Sequence, residues 1–226
     1  MKAAIVIPAF NEAAVISTVL KSIPKKISGF KRTLIIVVND GSTDSTAKEV
    51  AKTRAILLNH TLNRGVGAAT KTGLTYAIGQ NVDVVITFDA DGQHQGSDIA
   101  KVIAPIRAKK GDLVIGSRLL KFQKMPLDRF FINWLANLTT FFLFGVFSTD
   151  SQSGLRAFSK KAATLINFKG ERMDFSSEIL LEAKKHNLKR VEVPTAAIYT
   201  KYSRAKGQKN INALPTLLRL IIKFMR

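Results

Sequence analysis

In Asp83-Val84-Val85-Ile86-Thr87-Phe88-Asp89-Ala90-Asp91-Gly92-Gln93-His94 an apolar, β-branched run breaks off into two carboxylates. Such a run reads as a strand buried on both faces. Asp89 and Asp91 stand two apart, so on extended backbone both point to the same side. Left alone they repel, and each resists ionising. A divalent cation removes the conflict. Carboxylates, the amide oxygen of Gln93 and water are the hard oxygen ligands that Mg2+ or Mn2+ prefers. Such an ion normally keeps positions open for phosphate oxygens. The stretch predicts a diphosphate–metal site on Asp89, Asp91 and Gln93, at the carboxyl end of a central strand where open α/β sheets bind ligands. An Asp-x-Asp alone is more often a plain turn. An EF-hand is excluded, because its sixth position would be His94 rather than Gly and its twelfth Ala100 rather than Glu.

Support comes from the strand ends on either side. Ala3–Ile7 reads as a first strand, broken by Pro8-Ala9-Phe10-Asn11-Glu12 and followed by a helix to about Lys21. Asn11 suits its N-cap and Glu12 its first turn. Leu34–Val38 is a second buried strand, ending in Asn39-Asp40-Gly41-Ser42-Thr43-Asp44, before a helix to about Thr53 in which Thr46 and Glu49 have capping-box spacing. Asp40 comes too early to cap that helix, and at a strand end its carboxylate could take hydrogen bonds from a nucleotide base or ribose. Ala55–Leu58 is a third strand. Asn63-Arg64-Gly65-Val66-Gly67-Ala68-Ala69 then opens a helix, but Thr70 stands where a dinucleotide fingerprint needs its third Gly. This reads as a tight loop that lets a helix pack closely. A helix over about Ser97–Ala108 and a strand over Asp112–Gly116 follow, the strand ending at Ser117-Arg118. The alternation predicts parallel βαβ units.

The 226 residues fit one ordinary domain, with 46% hydrophobic and 23% charged residues. No cysteine is present, which excludes disulfides and thiolate metal sites. No secretory signal is visible. Lys and Arg number 35 against 16 Asp and Glu, a net charge of +19. That field attracts polyanions: nucleic acid, anionic lipid or phosphorylated substrates. Carboxylates at strand ends argue against nucleic acid, since without metal they repel a phosphate backbone.

From Phe130 to Thr149 no residue is charged, a length that could span a bilayer. Arg129, Asn133, Asn137 and Thr140 share one helical face, however, which favours an amphipathic helix. Asp150-Ser151-Gln152-Ser153-Gly154-Leu155-Arg156-Ala157-Phe158 reads as a polar loop entering a short strand. A helix over Ser176–Lys185 and a strand over Lys189–Val193 follow. Lys201–Lys209 is a basic loop suited to phosphate, or simply a solvated one. Over Pro215–Arg226, Arg219, Lys223 and Arg226 form a basic stripe on an otherwise apolar helix. It suits either a membrane interface or docking on the domain.

Pro8–Glu12, Asn39–Ser45, Asp89–His94, Gly116–Arg118 and Asp150–Phe158 come in the order and approximate spacing of family 2 glycosyltransferases, which the chain resembles over nearly its whole length. The dolichol-phosphate mannosyltransferase-like and polyprenyl-phosphate branch is the most similar. The resemblance implies a GT-A fold over residues 1–210, Rossmann-like with a mostly parallel sheet flanked by helices, and a basic tail helix over 211–226. It implies a nucleotide-diphosphate sugar donor lined by Pro8, Phe10, Glu12, Val38, Asp40 and Ala90, with a metal on Asp89, Asp91 and Gln93. Arg118 and Arg129 would meet an acceptor phosphate, and Arg204 and Lys209 would close over the donor. The group commonly carries Gly-x-Ser-Lys in the tail loop; here Gly207-Gln208-Lys209-Asn210 displaces the lysine by one. A polyprenyl phosphate acceptor on the cytoplasmic membrane face is expected. For a glycan hydroxyl acceptor, Asp150 is the candidate base.

Overall fold

The computed structural model describes residues 1–120, 126–198 and Tyr202. Arg204, Lys209 and the tail over 211–226 lie outside the described residues.

Among the described residues fourteen elements follow one another: β1 (Lys2–Ala9), α1 (Ile16–Ser22), β2 (Arg32–Asp40), α2 (Thr46–Ala51), β3 (Ile56–His60), α3 (Val66–Gly79), β4 (Val84–Thr87), α4 (Asp98–Arg107), β5 (Leu113–Ser117), α5 (Leu127–Phe144), β6 (Arg156–Ser159), α6 (Lys160–Leu165), α7 (Phe175–Lys185) and β7 (Arg190–Pro194). The strands form one 7-stranded sheet in the order β3-β2-β1-β4-β6-β5-β7. All pairs are parallel except those of β6, which runs antiparallel to both β4 and β5. The architecture is α/β and mostly parallel, as the strand–helix alternation predicts. The reversal at β6 is not visible in that alternation.

The continuous apolar strands are explained by two buried sheet faces. Ala3, Ile5 and Ile7 of β1, with Val84 and Ile86 of β4, face Ile16 and Val19 of α1, Val50 of α2 and Ile99, Val102 and Ile103 of α4. Ala4 and Val6, with Val85, turn the other way onto Ala69, Leu74 and Ala77 of α3 and onto Ile179 and Leu180 of α7. Each fully buried Ile or Val contributes about 1.5–3 kcal/mol. The close packing of α3 rests on Gly73, where a Cβ would come within 2.2 Å of Val6 Cγ1.

Two local expectations change. Helix α1 begins at Ile16 rather than after Asn11. Asn11 adopts a left-handed φ of 53°, and its side-chain oxygen accepts from Thr43 N at 2.8 Å. It thus ties its loop to the one after β2 instead of capping its own helix. Helix α5 ends where Gly145, at φ 60°, donates to Phe141 O at 2.7 Å. Among the described residues no helix is long and apolar enough to cross a membrane.

Candidate active site

The carboxyl ends of β1, β2 and β4 lie side by side, so the loops that leave them meet. Glu12 N donates to Thr46 Oγ1 at 2.7 Å, Ala13 N to Asp44 Oδ2 at 3.1 Å and Asn11 N to Ser42 Oγ at 2.9 Å. Tyr202 O–H reaches back from the far end of the chain to Glu12 Oε2 at 2.8 Å. Burial, together with the bond to Glu12, raises the pKa of this phenol. The cradle therefore carries Pro8 at its edge, a 40% exposed Phe10 and a buried Glu12.

Asp89 and Asp91 stand at the end of β4, one step from the cradle. Burial works to raise the pKa of Asp89, but the His94 hydrogen bond and the positive field of His94, Arg118 and Arg156 outweigh it and leave the value lowered. His94 Nε2 lies 3.1 Å from Asp89 Oδ2. An ionised carboxylate only accepts, so Nε2 carries the hydrogen. Asp91 goes the other way: burial, then the charge of Asp89, pushes it up to about 6. The two carboxylates are split as a like-charged pair is expected to be. Gln93 donates to both oxygens of Asp91, from its backbone N at 2.9 Å and from its side-chain amide at 2.8 Å. Its amide therefore turns N–H, not oxygen, to Asp91. Gln93 thus braces that carboxylate.

The donor set fits a hard divalent cation. Two carboxylates leave one strand end together, and among the described residues no group of three or more His, Cys, Asp or Glu is arranged to hold a metal by itself. An ion held by Asp89 and Asp91 would complete its shell with oxygens from a bound molecule and water.

Asp40, Val38, Ala90 and Asp150 are held by the protein itself. Asp40 is almost wholly buried, and its oxygens accept from His60 Nδ1 at 2.7 Å, Arg64 N at 3.0 Å and Gly65 N at 2.7 Å. It fixes the turn into α3. Val38 is fully buried in the core beneath α3, near Gly73, and Ala90 is a buried spacer between the carboxylates. Asp150, fully buried, receives Arg118 Nε and Nη2 at 2.8 Å each and Arg118 N at 3.0 Å. Burial alone would raise its pKa; the charge and hydrogen bonds of Arg118 lower it overall. A sequestered, strongly acidic carboxylate is a poor base. Asp150 and Arg118 instead form one bidentate unit that fixes the loop beside the site. Arg129 sits in the first turn of α5.

Two residues of the Asp150–Phe158 loop carry more than the sequence assigned them. A Cβ on Gly154 would lie 2.0 Å from Asp89 Oδ2, so this glycine is the floor on which Asp89 rests. Arg156 opens β6 opposite Thr87, which leads directly to Asp89. It is 1% exposed and donates from Nη2 to Ser151 O at 2.7 Å, while Nε and Nη1 are buried without a hydrogen-bond partner. Burial lowers its pKa to about 10, against the charges of Asp150 and Asp89. It is a fixed cation behind both carboxylates. An Arg three places after a polar loop residue gives no sequence signal for this.

A mostly parallel sheet, with an acidic pair at the end of a central strand and a looped cradle beside it, defines the GT-A class of α/β fold. The chain matches the model of glycosyl transferase family 2 over residues 4–164 and belongs to that family. It is 39% identical over 240 residues to the UDP-N-acetylglucosamine–dolichyl-phosphate N-acetylglucosaminyltransferase of Methanococcus voltae, covering 96% of this chain and 94% of that relative. An uncharacterised protein of Methanocaldococcus jannaschii is 43% identical over 224 residues, 97% of this chain and 90% of its own. The undecaprenyl-phosphate mannosyltransferase of Micrococcus luteus is 27% identical over 222 residues, 91% of this chain and 87% of its own. The crystal structure of glucosyl-3-phosphoglycerate synthase from Mycobacterium tuberculosis with Mn2+, UDP and phosphoglyceric acid superposes with a TM-score of 0.70 at 20% identity, over 97% of this chain and 78% of that one. At that identity the likeness concerns the fold.

Proposed function

We propose that the chain moves a sugar from a nucleotide-diphosphate donor, GDP-mannose or a UDP-sugar, to a polyprenyl or dolichyl phosphate, with inversion, as a peripheral enzyme on the cytoplasmic face of the membrane. The observation that carries this is the Asp89–Asp91 pair at the end of β4, beside the Pro8–Phe10–Glu12 cradle. Mg2+ or Mn2+ held there would supply positive charge to the departing diphosphate. The relatives named for polyprenyl-phosphate acceptors support the acceptor class.

In the transfer the acceptor oxygen forms a bond to the anomeric carbon as the bond from that carbon to the diphosphate breaks. A phosphate monoester is already ionised at neutral pH, so it needs positioning and charge balance rather than a base. Arg118 and Arg129 would supply that balance, and Arg204 and Lys209 of the tail would close over the donor. Acting on a glycan hydroxyl would require a base, and the one the sequence offered, Asp150, is locked to Arg118. This favours the phosphate acceptor.

The test is incubation with labelled GDP-mannose and UDP-sugars, polyprenyl phosphate and Mn2+, followed by solvent extraction. With one donor, label is expected in the organic phase, and Asp91→Ala is expected to abolish transfer with an unchanged melting curve. Metal-dependent turnover by Asp91→Ala, or label found only on a soluble glycan, refutes the reading.

A further inference from the structure

Helix α5 turns Leu143 and Phe144 at its end into the core, and along the rest of its length a polar stripe. Its polar residues face the protein: Asn137 Nδ2 donates to Thr149 O at 2.6 Å, its Oδ1 accepts from Ser151 N at 2.8 Å, and Thr140 Oγ1 lies 2.8 Å from Ser177 Oγ. Its aromatic face is turned outward. Phe131, Trp134 and Phe142 are 64%, 52% and 72% exposed, and Phe147 just beyond the helix is 72% exposed. With Phe130, Leu135 and Phe141, also exposed, the helical members lie on one side of a helix about 27 Å long. A surface helix in water has the opposite polarity, and a contiguous apolar patch of this size marks a surface that something covers.

The rim of the stripe indicates what that is. Lys184 Nζ donates to Phe144 O at 3.0 Å and to Gly145 O at 3.2 Å, and Arg190 Nη1 reaches Phe147 O at 3.5 Å. Lys185 and Lys189 lie exposed beside them. Phe and Trp backed by cations, on a chain of net charge +19, match an anionic bilayer interface: rings at the headgroup–acyl boundary, cations at the phosphates. We propose that α5 lies in the plane of an anionic membrane, with its stripe from Phe130 to Phe147 embedded. Through Asn137 the same helix grips the loop that carries Asp150, so docking turns the acceptor side of the site toward the lipid. This deepens, and rests on, the lipid-phosphate acceptor proposed above.

Trp134 is the only tryptophan of the chain and reports on this surface directly. The full chain is titrated with vesicles of phosphatidylcholine, with and without phosphatidylglycerol, in the absence of donor and acceptor. Expected are a blue shift of Trp134 emission and loss of acrylamide quenching, strongest on anionic vesicles and weakened by salt. The double variant Phe131→Ser, Phe142→Ser should bind vesicles at least about tenfold more weakly with an unchanged melting temperature. Vesicle binding that leaves Trp134 emission unchanged overturns the proposal, since another surface then docks. A blue shift that follows protein concentration without vesicles also overturns it, in favour of a second copy covering the stripe. Because no sugar is transferred here, failure of the acceptor assay would leave this readout standing, and the reverse holds equally.

Discussion

Gly154→Ala is the sharpest perturbation of the site, because the structure fixes both its cause and its size. Gly154 does not adopt a positive φ, so alanine suits the backbone and only the new methyl matters. That methyl would lie 2.0 Å from Asp89 Oδ2, 2.1 Å from Oδ1 and 2.2 Å from Cγ. Ordinary contact between such atoms begins near ~3.5 Å, so one side must retreat by more than about 1 Å. The loop is held from two sides. Thr87 Oγ1 donates to Gly154 O at 2.8 Å, and Ser153 Oγ donates to Gly116 O at 2.6 Å. Asp89 therefore yields, and loses its hydrogen bond from His94. A displacement of that size at a reacting centre costs about a hundredfold in rate, whereas overpacking costs about 1–3 kcal/mol in stability. The expected result is kcat/KM down about a hundredfold and weakened Mn2+ binding, with the fold retained. Gly79→Ala, where a Cβ would meet nothing within 4 Å, is the matched control and should behave as wild type. If Gly154→Ala binds Mn2+ and turns over normally, Asp89 does not act from the position described.

Two other outcomes follow from the charge distribution. Asp150→Asn removes the fully buried carboxylate of a bidentate pair whose Arg118 is partly exposed, and should cost about 3 kcal/mol in urea unfolding; unchanged stability with lost activity would instead make Asp150 the base. Asp91, raised to about 6 against an ordinary 3.8, opposes folding once ionised. In metal-free protein its contribution is absent below about pH 4, stability falls between about pH 4 and 6 as the unfolded chain alone ionises, and the loss is complete above. A cation must displace that proton, so Mn2+ affinity measured by calorimetry should be about tenfold weaker at pH 5 than at pH 7. A flat profile would place the cation elsewhere.

The strands were legible because burial on two faces demands uninterrupted apolar runs, as in Ala3–Ile7 and Val84–Ile86, and because loops with Asp, Asn and Gly stop them. The carboxylate pair was legible because period-two geometry alone puts Asp89 and Asp91 on one side. What the sequence withheld is which partner claims a polar group. Asp40 at a strand end and Asp150 in the loop before β6 are of the right type, yet two backbone amides and His60 take the first, and Arg118 takes the second. Gln93 likewise offers an oxygen and a nitrogen, and only its neighbour Asp91 decides which is used. Arg156 is the converse case, an unremarked residue made significant by burial beside two carboxylates.

Helix α5 shows the same limit at the level of a whole element. Arg129, Asn133, Asn137 and Thr140 mark one face and the aromatics the other, and periodicity predicts two faces without saying which one turns inward. In water the usual answer is the apolar face. Here the inner wall presents a carbonyl, an amide N–H and a hydroxyl, Thr149 O, Ser151 N and Ser177 Oγ, which an apolar face would leave unpaired at a cost of about 1–3 kcal/mol each. The polar loop that carries Asp150 thus dictates the orientation of the helix packed on it. The order of cause runs from site to surface: fixing Asp150 and Arg118 requires a polar cover, the cover must be a helix with a polar stripe, and its aromatic back is then left to face outward.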